Sequence, residues 1–257
     1  MIIVKSPREI ELMKEAGRLV AKVFETVASF IKPGVSTYEI NALAEKVIYD
    51  GGGSCPCKGY YDYPAGTCVS VNETLIHGIP SKKIILREGD LVSLDVVANL
   101  HGYCADATRT FLVGTCKESV KQILNVCQKA FYEGVKQAKP GNRVGDISAA
   151  IQHYVESNGY SVAREFTGHG IGKSMHEDPS VPNYGTAGTG PLLQNGMTLA
   201  VEPMILEGKK ETRILGDGWT VKSRDGKLTC HYENTIVITD DGYEIITLTE
   251  GEKEINV

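Results

Sequence analysis

An internal echo restricts how this chain can fold more than any other feature of its sequence. Lys32-Pro33-Gly34 recurs as Lys139-Pro140-Gly141, at an offset of 107 residues, and Glu39-Ile40 with the apolar run from Ala42 to Ile48 recurs as Asp146-Ile147 with Ala149 to Val155. The same offset carries Gly89 to Gly196, and Leu91-Val92-Ser93-Leu94-Asp95 to Thr198-Leu199-Ala200-Val201-Glu202. Each half therefore ends an apolar strand-like segment on a carboxylate. Two helix-helix-strand units that each lack a full core, joined without a Pro/Ser-rich or charged linker, are expected to form one pseudo-symmetric α/β (α+β) domain. That domain spans 1–257, with halves at roughly 6–113 and 118–238 and a site between them.

Local signals place the helices. Ser6-Pro7 is an N-cap followed by proline at the first helical position, and Ile10, Met13, Val20, Val23, Phe24 and Val27 then give an amphipathic helix ending before Lys32-Pro33-Gly34. Ser36 with Glu39 forms a capping box ahead of Ile40, Leu43 and Val47.

With 257 residues, 42% of them hydrophobic, the chain has ample material for a core. A formal net charge of −5 offers no basic field, so no nucleic-acid site is expected. No apolar run approaches the roughly 20 residues that span a bilayer, and Met1-Ile2-Ile3-Val4-Lys5 lacks the layout of a secretory leader, so the expectation is a cytoplasmic protein. The cysteines, an odd seven, do not form a secreted disulfide framework, and Cys55-Pro56-Cys57 is too closely spaced for a zinc knuckle.

The chemistry gathers on acidic residues. Asp95 ends one apolar run and Asp106 precedes another, Thr108 to Val113, with Asn99-Leu100-His101-Gly102 reading as a turn; the midpoint of 95 and 106 makes the two aspartates direct cross-strand partners on one face. Either alone is as readily a solvated or backbone-bonded side chain; paired, they ask for a cation. Glu202, in an apolar strand before Pro203, poses the same problem, because an unpaired buried carboxylate costs several kcal/mol or takes a proton. Glu233 lies in a strand, Leu228 to Ile238, after an Asp225-Gly226 hairpin turn. His169 is framed by Gly168, Gly170 and Gly172, which argue for backbone passing close to something. Four carboxylates and one imidazole suit two divalent ions, with manganese, iron, cobalt, nickel and zinc all admissible, sharing a bridging water in a hydrolytic centre.

Several strings then carry a resemblance: Asn72-Glu73-Thr74-Leu75-Ile76-His77-Gly78-Ile79-Pro80, the Asp95/Asp106 pair, Gly168-His169-Gly170-Ile171-Gly172, His176-Glu177-Asp178-Pro179, Val201-Glu202-Pro203 and Tyr232-Glu233-Asn234-Thr235. Together, and in this order along nearly the whole chain, they closely resemble type I methionine aminopeptidases. The resemblance implies a pita-bread creatinase/aminopeptidase fold with an internal pseudo-twofold, which agrees with the offset of 107. It also implies removal of N-terminal methionine from nascent proteins, preferentially before a small second residue.

By the same resemblance Asp95, Asp106, His169, Glu202 and Glu233 hold the two metals, Asp106 and Glu233 bridge them, and Glu202 is also the general base. His176 bonds the scissile carbonyl and His77 contacts the amide nitrogen of the bond being broken, while Tyr60, Tyr63, Cys68, Met175 and Trp219 shape the methionine pocket. A monovalent cation site maps to Asn72, Thr74 and Thr229. The chain departs from the family's usual pattern at Met175, often aromatic, at His231, often glutamine, and at Asn234, often histidine. It resembles the short bacterial form, without the zinc-binding extension of eukaryotic type I enzymes or the helical insertion of type II. Expected partners are nascent N-termini near the ribosome, for a monomer away from membranes. Two other readings stay open: an Xaa-Pro aminopeptidase or dipeptidase, which usually carries an additional N-terminal domain, and a non-catalytic pita-bread binding protein, which characteristically loses ligands.

Overall fold

The computed structural model describes residues 1–255. In chain order the first half holds α1 (Pro7–Ala28), α2 (Thr37–Asp50), β1 (Cys68–Val71), β2 (Thr74–Ile76), β3 (Leu91–Leu100) and β4 (Tyr103–Leu112). The second holds α3 (Glu118–Val135), α4 (Val144–Ser157), β5 (Ser161–Val162), β6 (Thr167–Gly170), β7 (Glu177–Pro182), β8 (Thr198–Val201), β9 (Met204–Leu206), β10 (Thr212–Ile214), β11 (Val221–Ser223), β12 (Thr229–His231), β13 (Glu233–Ile238), β14 (Tyr243–Ile245) and α5 (Glu250–Ile255). None of the described helices is long and apolar enough to cross a membrane.

The helices start where local chemistry says they should. Ser6 accepts from the Glu9 amide while the Glu9 carboxylate accepts from the Ser6 amide at 2.8 Å, and Ser36 with Glu39 repeats the arrangement at the head of α2. Bonds from the Ser6 amide, the Ser6 hydroxyl and the Tyr103 hydroxyl hold the Glu9 carboxyl down at about 2. The apolar stripe of α1, from Met13 through Val20 and Val23 to Val27, is buried, most of it against β3 and β4.

The offset of 107 extends to element boundaries. It takes both ends of α2 to both ends of α4, the end of α1 to the end of α3, the start of β3 to the start of β8, and the bridge Ser36↔Ile85 to the bridge Arg143↔Leu192. An eight-stranded antiparallel sheet runs β1-β3-β4-β13-β8-β6-β7, with β14 also on β13, and two three-stranded sheets, β10-β11-β2 and β12-β9-β5, flank it. The halves meet at the β4–β13 seam, where Thr108 faces Glu233 and Ala107 faces Asn234. Each half has its own core: α1, α2 and the β3/β4 residues Val92, Leu94, Val96, Ala98, Ala105 and Ala107 in one, α3 and α4 with Leu199, Val201, Ile236 and Ile238 in the other.

Three strand expectations are corrected. Asp95 pairs with Thr108 and Asp106 with Val97, because His101 (φ 53°) and Gly102 (φ 84°) alone make a two-residue turn, so the hairpin is centred one residue later than the midpoint of the aspartates. The aspartates remain on one face as diagonal neighbours, not direct partners. The turn at Asp225-Gly226 does not close a hairpin either: β11 before it pairs with β10 and β2, whereas β12 after it pairs with β9. The strand predicted over Leu228 to Ile238 breaks at Tyr232, between a β12 that belongs to a side sheet and a β13 in the main one.

Candidate active site

A cavity of about 610 Å³ opens over the seam, within the size range of small-ligand sites. Asp95 reaches it from β3, Asp106 from β4, His169 from β6, Glu202 from just beyond β8 and Glu233 from the start of β13. Three neighbouring strands and the two beside them thus aim polar side chains at one point. Backbone crowding explains the glycines around His169: a Cβ on Gly168 would stand 2.4 Å from the Ala200 carbonyl, and one on Gly170 would stand 2.0 Å from that of Asp178. The imidazole is fixed through Nδ1, which lies 2.9 Å from the Gly170 carbonyl, leaving Nε2 to face Asp106 at 3.8 Å and Glu202 Oε1 at 3.5 Å.

Burial dominates the electrostatics. It pushes the carboxyls of Asp106, Glu202 and Glu233 well above their usual values, and the mutual repulsion of these groups and Asp95 adds to the shift. Asp95, beside Asp106, Thr108 and Cys68, is raised by the same desolvation. The histidines move the other way: burial lowers His169 and His77 to about 4, with neighbouring imidazoles contributing, and lowers His176 too.

Hydrogen bonds do not satisfy this cluster. Asp106 Oδ1 and Glu233 Oε1 are buried without a hydrogen-bond partner among the described residues, although Glu233 Oε2 accepts from the Thr108 hydroxyl at 2.9 Å. Asp106, His169 and Glu233 each offer a ligand atom within 4.8 Å of the others, and Glu202, His231 and Glu233 do the same. Oxygen donors with orphaned lone pairs next to a neutral imidazole fit divalent cations, which would turn mutual repulsion into shared coordination.

Behind the carboxylates, Arg109 is almost fully buried. Its guanidinium donates to the Glu233 carbonyl and to Asn234 Oδ1, both at 2.7 Å, and pairs with Glu252 of α5 at 2.7 Å. Asn234, one of the departures from the usual pattern, is therefore an acceptor in this support.

Comparison with known proteins agrees with this geometry. The model of metallopeptidase family M24 matches residues 11–240. A methionine aminopeptidase from Clostridium acetobutylicum is 48% identical over 250 residues, covering 97% of this chain and 100% of the relative. The chain belongs to the methionine aminopeptidases of family M24. A solved methionine aminopeptidase from Thermotoga maritima superposes with a TM-score of 0.95 at 44% identity, covering 96% of this chain and 100% of that one. The prolidase from Pyrococcus furiosus gives 0.78 at 26% identity, and only 66% of its chain is matched. The pita-bread fold and a metal-dependent hydrolase follow from membership of M24.

In this M24 chain the remaining expected residues line the same cavity: His77, His176, Tyr60, Tyr63, Cys68, Met175 and Trp219. His176 stacks edge-on against His169, with ring centroids 4.5 Å apart, and its Nδ1 lies 3.3 Å from the Tyr60 hydroxyl. His77 sits in the left-handed region (φ 56°), a strained conformation for a non-glycine residue, before Gly78, where a Cβ would stand 2.4 Å from the Val69 carbonyl. Its ring meets Trp219 and Phe166 edge-on, and Trp219 in turn meets Tyr63. Asn72 and Thr229 also come together, but the Asn72 carbonyl accepts both the amide and the hydroxyl of Thr229, at 3.0 and 2.8 Å.

Sequence reading missed Phe166, Cys57, Glu177 and Asp178 on the wall, and treated His231 only as a departure. One signal could have found His231: it stands two residues from Glu233, the strand spacing that returns side chains to one face.

Proposed function

We propose that this chain removes N-terminal methionine from peptides and nascent proteins whose second residue is small, acting as one catalytic unit over its length. The observation that carries this reading is the convergence of Asp95, Asp106, His169, Glu202 and Glu233 on one cavity, with Asp106 Oδ1 and Glu233 Oε1 buried and unpartnered among the described residues. These five residues would hold two divalent cations, with Asp106 and Glu233 shared between them. When bound, such a pair supplies Lewis acidity that polarises a carbonyl and acidifies water.

The chain's own groups do the rest. Glu202 accepts the proton of the attacking water and passes it to the leaving amine. His176, with Nδ1 taken by the Tyr60 hydroxyl, presents an Nε2–H to the carbonyl of the bond being cut and steadies the charge that develops there. His77 contacts the amide of the same bond. Tyr60, Tyr63, Cys68, Met175 and Trp219 enclose the methionine side chain and exclude water, and shape sets selectivity, because one methylene is worth only about 1–3 kcal/mol in such a pocket. The substrates are nascent N-termini met in the cytoplasm close to the ribosome, by a monomer. A monovalent cation beside Asn72, Thr74 and Thr229 would compete with the Thr229 donors for the Asn72 carbonyl.

The test is an anaerobic assay of Met-Ala-Ser against Ala-Pro peptides across manganese, iron, cobalt, nickel and zinc. Cleavage of the first bond of the methionine peptide, abolished by chelation and restored by one or more ions, is expected. Preferential cleavage before proline would overturn the reading.

A further inference from the structure

Resting on the two-metal reading above, we infer that His231 is a sixth ligand of the centre, giving the second metal an imidazole of its own. His231 is 2% exposed and its Nε2 has no hydrogen-bond partner among the described residues. That atom lies 3.5 Å from Glu202 Oε2 and 3.8 Å from Glu233 Oε2. Both separations exceed a hydrogen bond between nitrogen and oxygen, so neither carboxylate satisfies the ring. They are close to the roughly 3.0–3.4 Å that separates two donors bound at about 2.1 Å to one cation.

The arrangement mirrors that of His169. Glu202 lies between two imidazoles, with Oε1 3.5 Å from His169 and Oε2 3.5 Å from His231. His169 completes its approach with Asp106 at 3.8 Å, and His231 completes its own with Glu233 at 3.8 Å. Two triads, Asp106-His169-Glu233 and Glu202-His231-Glu233, each bring their ligand atoms within 4.8 Å of one another, with Glu233 common to both. His231 is also held for the task. Its strand β12 pairs residue for residue with β9, placing His231 opposite Met204, and its carbonyl accepts from the Thr110 hydroxyl at 2.6 Å. A ligand on a fixed strand loses little freedom on coordination.

A second nitrogen donor in place of a side-chain amide shifts a carboxylate-rich centre toward borderline ions such as zinc and cobalt and away from manganese. This inference therefore concerns which ions the chain retains as well as how it holds them.

The test uses the full chain loaded anaerobically with two equivalents of cobalt(II). Proton NMR of the wild type is expected to show two sets of hyperfine-shifted imidazole resonances, and His231→Gln to show one. By calorimetry His231→Gln should weaken the second cobalt equivalent at least tenfold, leave the first within threefold, and narrow the preference for zinc over manganese at that site. Two bound cobalt ions with a single imidazole set in the wild type overturn the inference alone, whatever the folding of the variant. Uptake of fewer than two ions by the wild type overturns the two-metal reading and this inference with it. Unchanged second-site affinity in a folded His231→Gln also counts against it.

Discussion

The halves of the molecule share a backbone plan but divide the chemistry unequally. β3 of the first half and β8 of the second occupy matched places, and there the residues agree, Asp95 answering Glu202 at the offset of 107. At two other places a proposed ligand in one half answers a hydroxyl in the other. Thr108 faces Asp95 across β3–β4, and the β13–β8 register, continued one step, sets Glu233 against Glu202, so Thr108 and Glu233 are mates. Asp106 faces Val97 across β3–β4, Val97 answers Met204 at the offset of 107, and Met204 faces His231, so the mate of Asp106 is His231, while by the registers of β1 and β6 the mate of His169 is Ser70. Thr108 serves the ligand it mirrors, donating to Glu233, and Thr235, which faces Asp106 across the seam, accepts from the Asp106 amide at 2.9 Å and donates to the Asp106 carbonyl at 2.8 Å. A symmetric set of carboxylates would add repulsion that two cations could not offset. Alternating acid with hydroxyl keeps the frame symmetric and the charge bearable.

That contrast can be broken most directly where the halves agree. Glu202→Gln is expected to reduce turnover of a methionine peptide by about 10²–10⁴-fold, and His176→Ala by about 10²-fold or more, with unchanged circular dichroism. Activity near wild type in either variant contradicts the assigned roles. Next come the mates across the seam. Glu233→Gln should remove most manganese affinity, whereas Thr108→Val, which deletes only a support, should weaken it about tenfold; titration calorimetry that finds the two losses equal erases the distinction between ligand and mate.

The smallest effects concern stability without metal. After chelation, Asp106→Asn is expected to raise the unfolding free energy in urea by about 1–2 kcal/mol by relieving buried repulsion, and Thr235→Val to lower it by about 1–3 kcal/mol by stranding the Asp106 amide. A destabilised Asp106→Asn would argue against crowded carboxylates. The pH dependence follows the same cause. Asp95, Asp106, Glu202 and Glu233 have raised values in the native state, so it holds protons that the unfolded chain has released, and their contribution fades as pH rises. The lowered histidines act oppositely, but only below about pH 6.5, the ordinary histidine value. Above that pH the chelated protein should lose stability steadily, and Asp106→Asn should flatten the slope.

Legibility in the sequence followed the range of the determining interaction. The starts of α1 and α2 could be read because Ser6 with Glu9 and Ser36 with Glu39 act within one turn. The matched ends of α2 and α4 were visible because an offset survives any tertiary detail. The hairpin register was misjudged because positive φ at His101 and Gly102 selects a tight turn over the four-residue one that composition suggests. His231 carried one local sign, its spacing of two from Glu233, but the switch at Tyr232 from β12 of a side sheet to β13 of the main one carried none. Pairings between residues far apart in sequence, such as Glu252 with Arg109, left no local signal in it.

That last pair offers a dial placed outside the cavity. Glu252 grips Arg109, and Arg109 grips the carbonyl of Glu233, so the final helix is tethered to the backbone of a proposed ligand. Loosening the tether with Glu252→Gln, or tightening it by redesigning neighbouring surface positions, would let an engineer adjust how firmly the ions are kept while leaving every residue that touches substrate as it is.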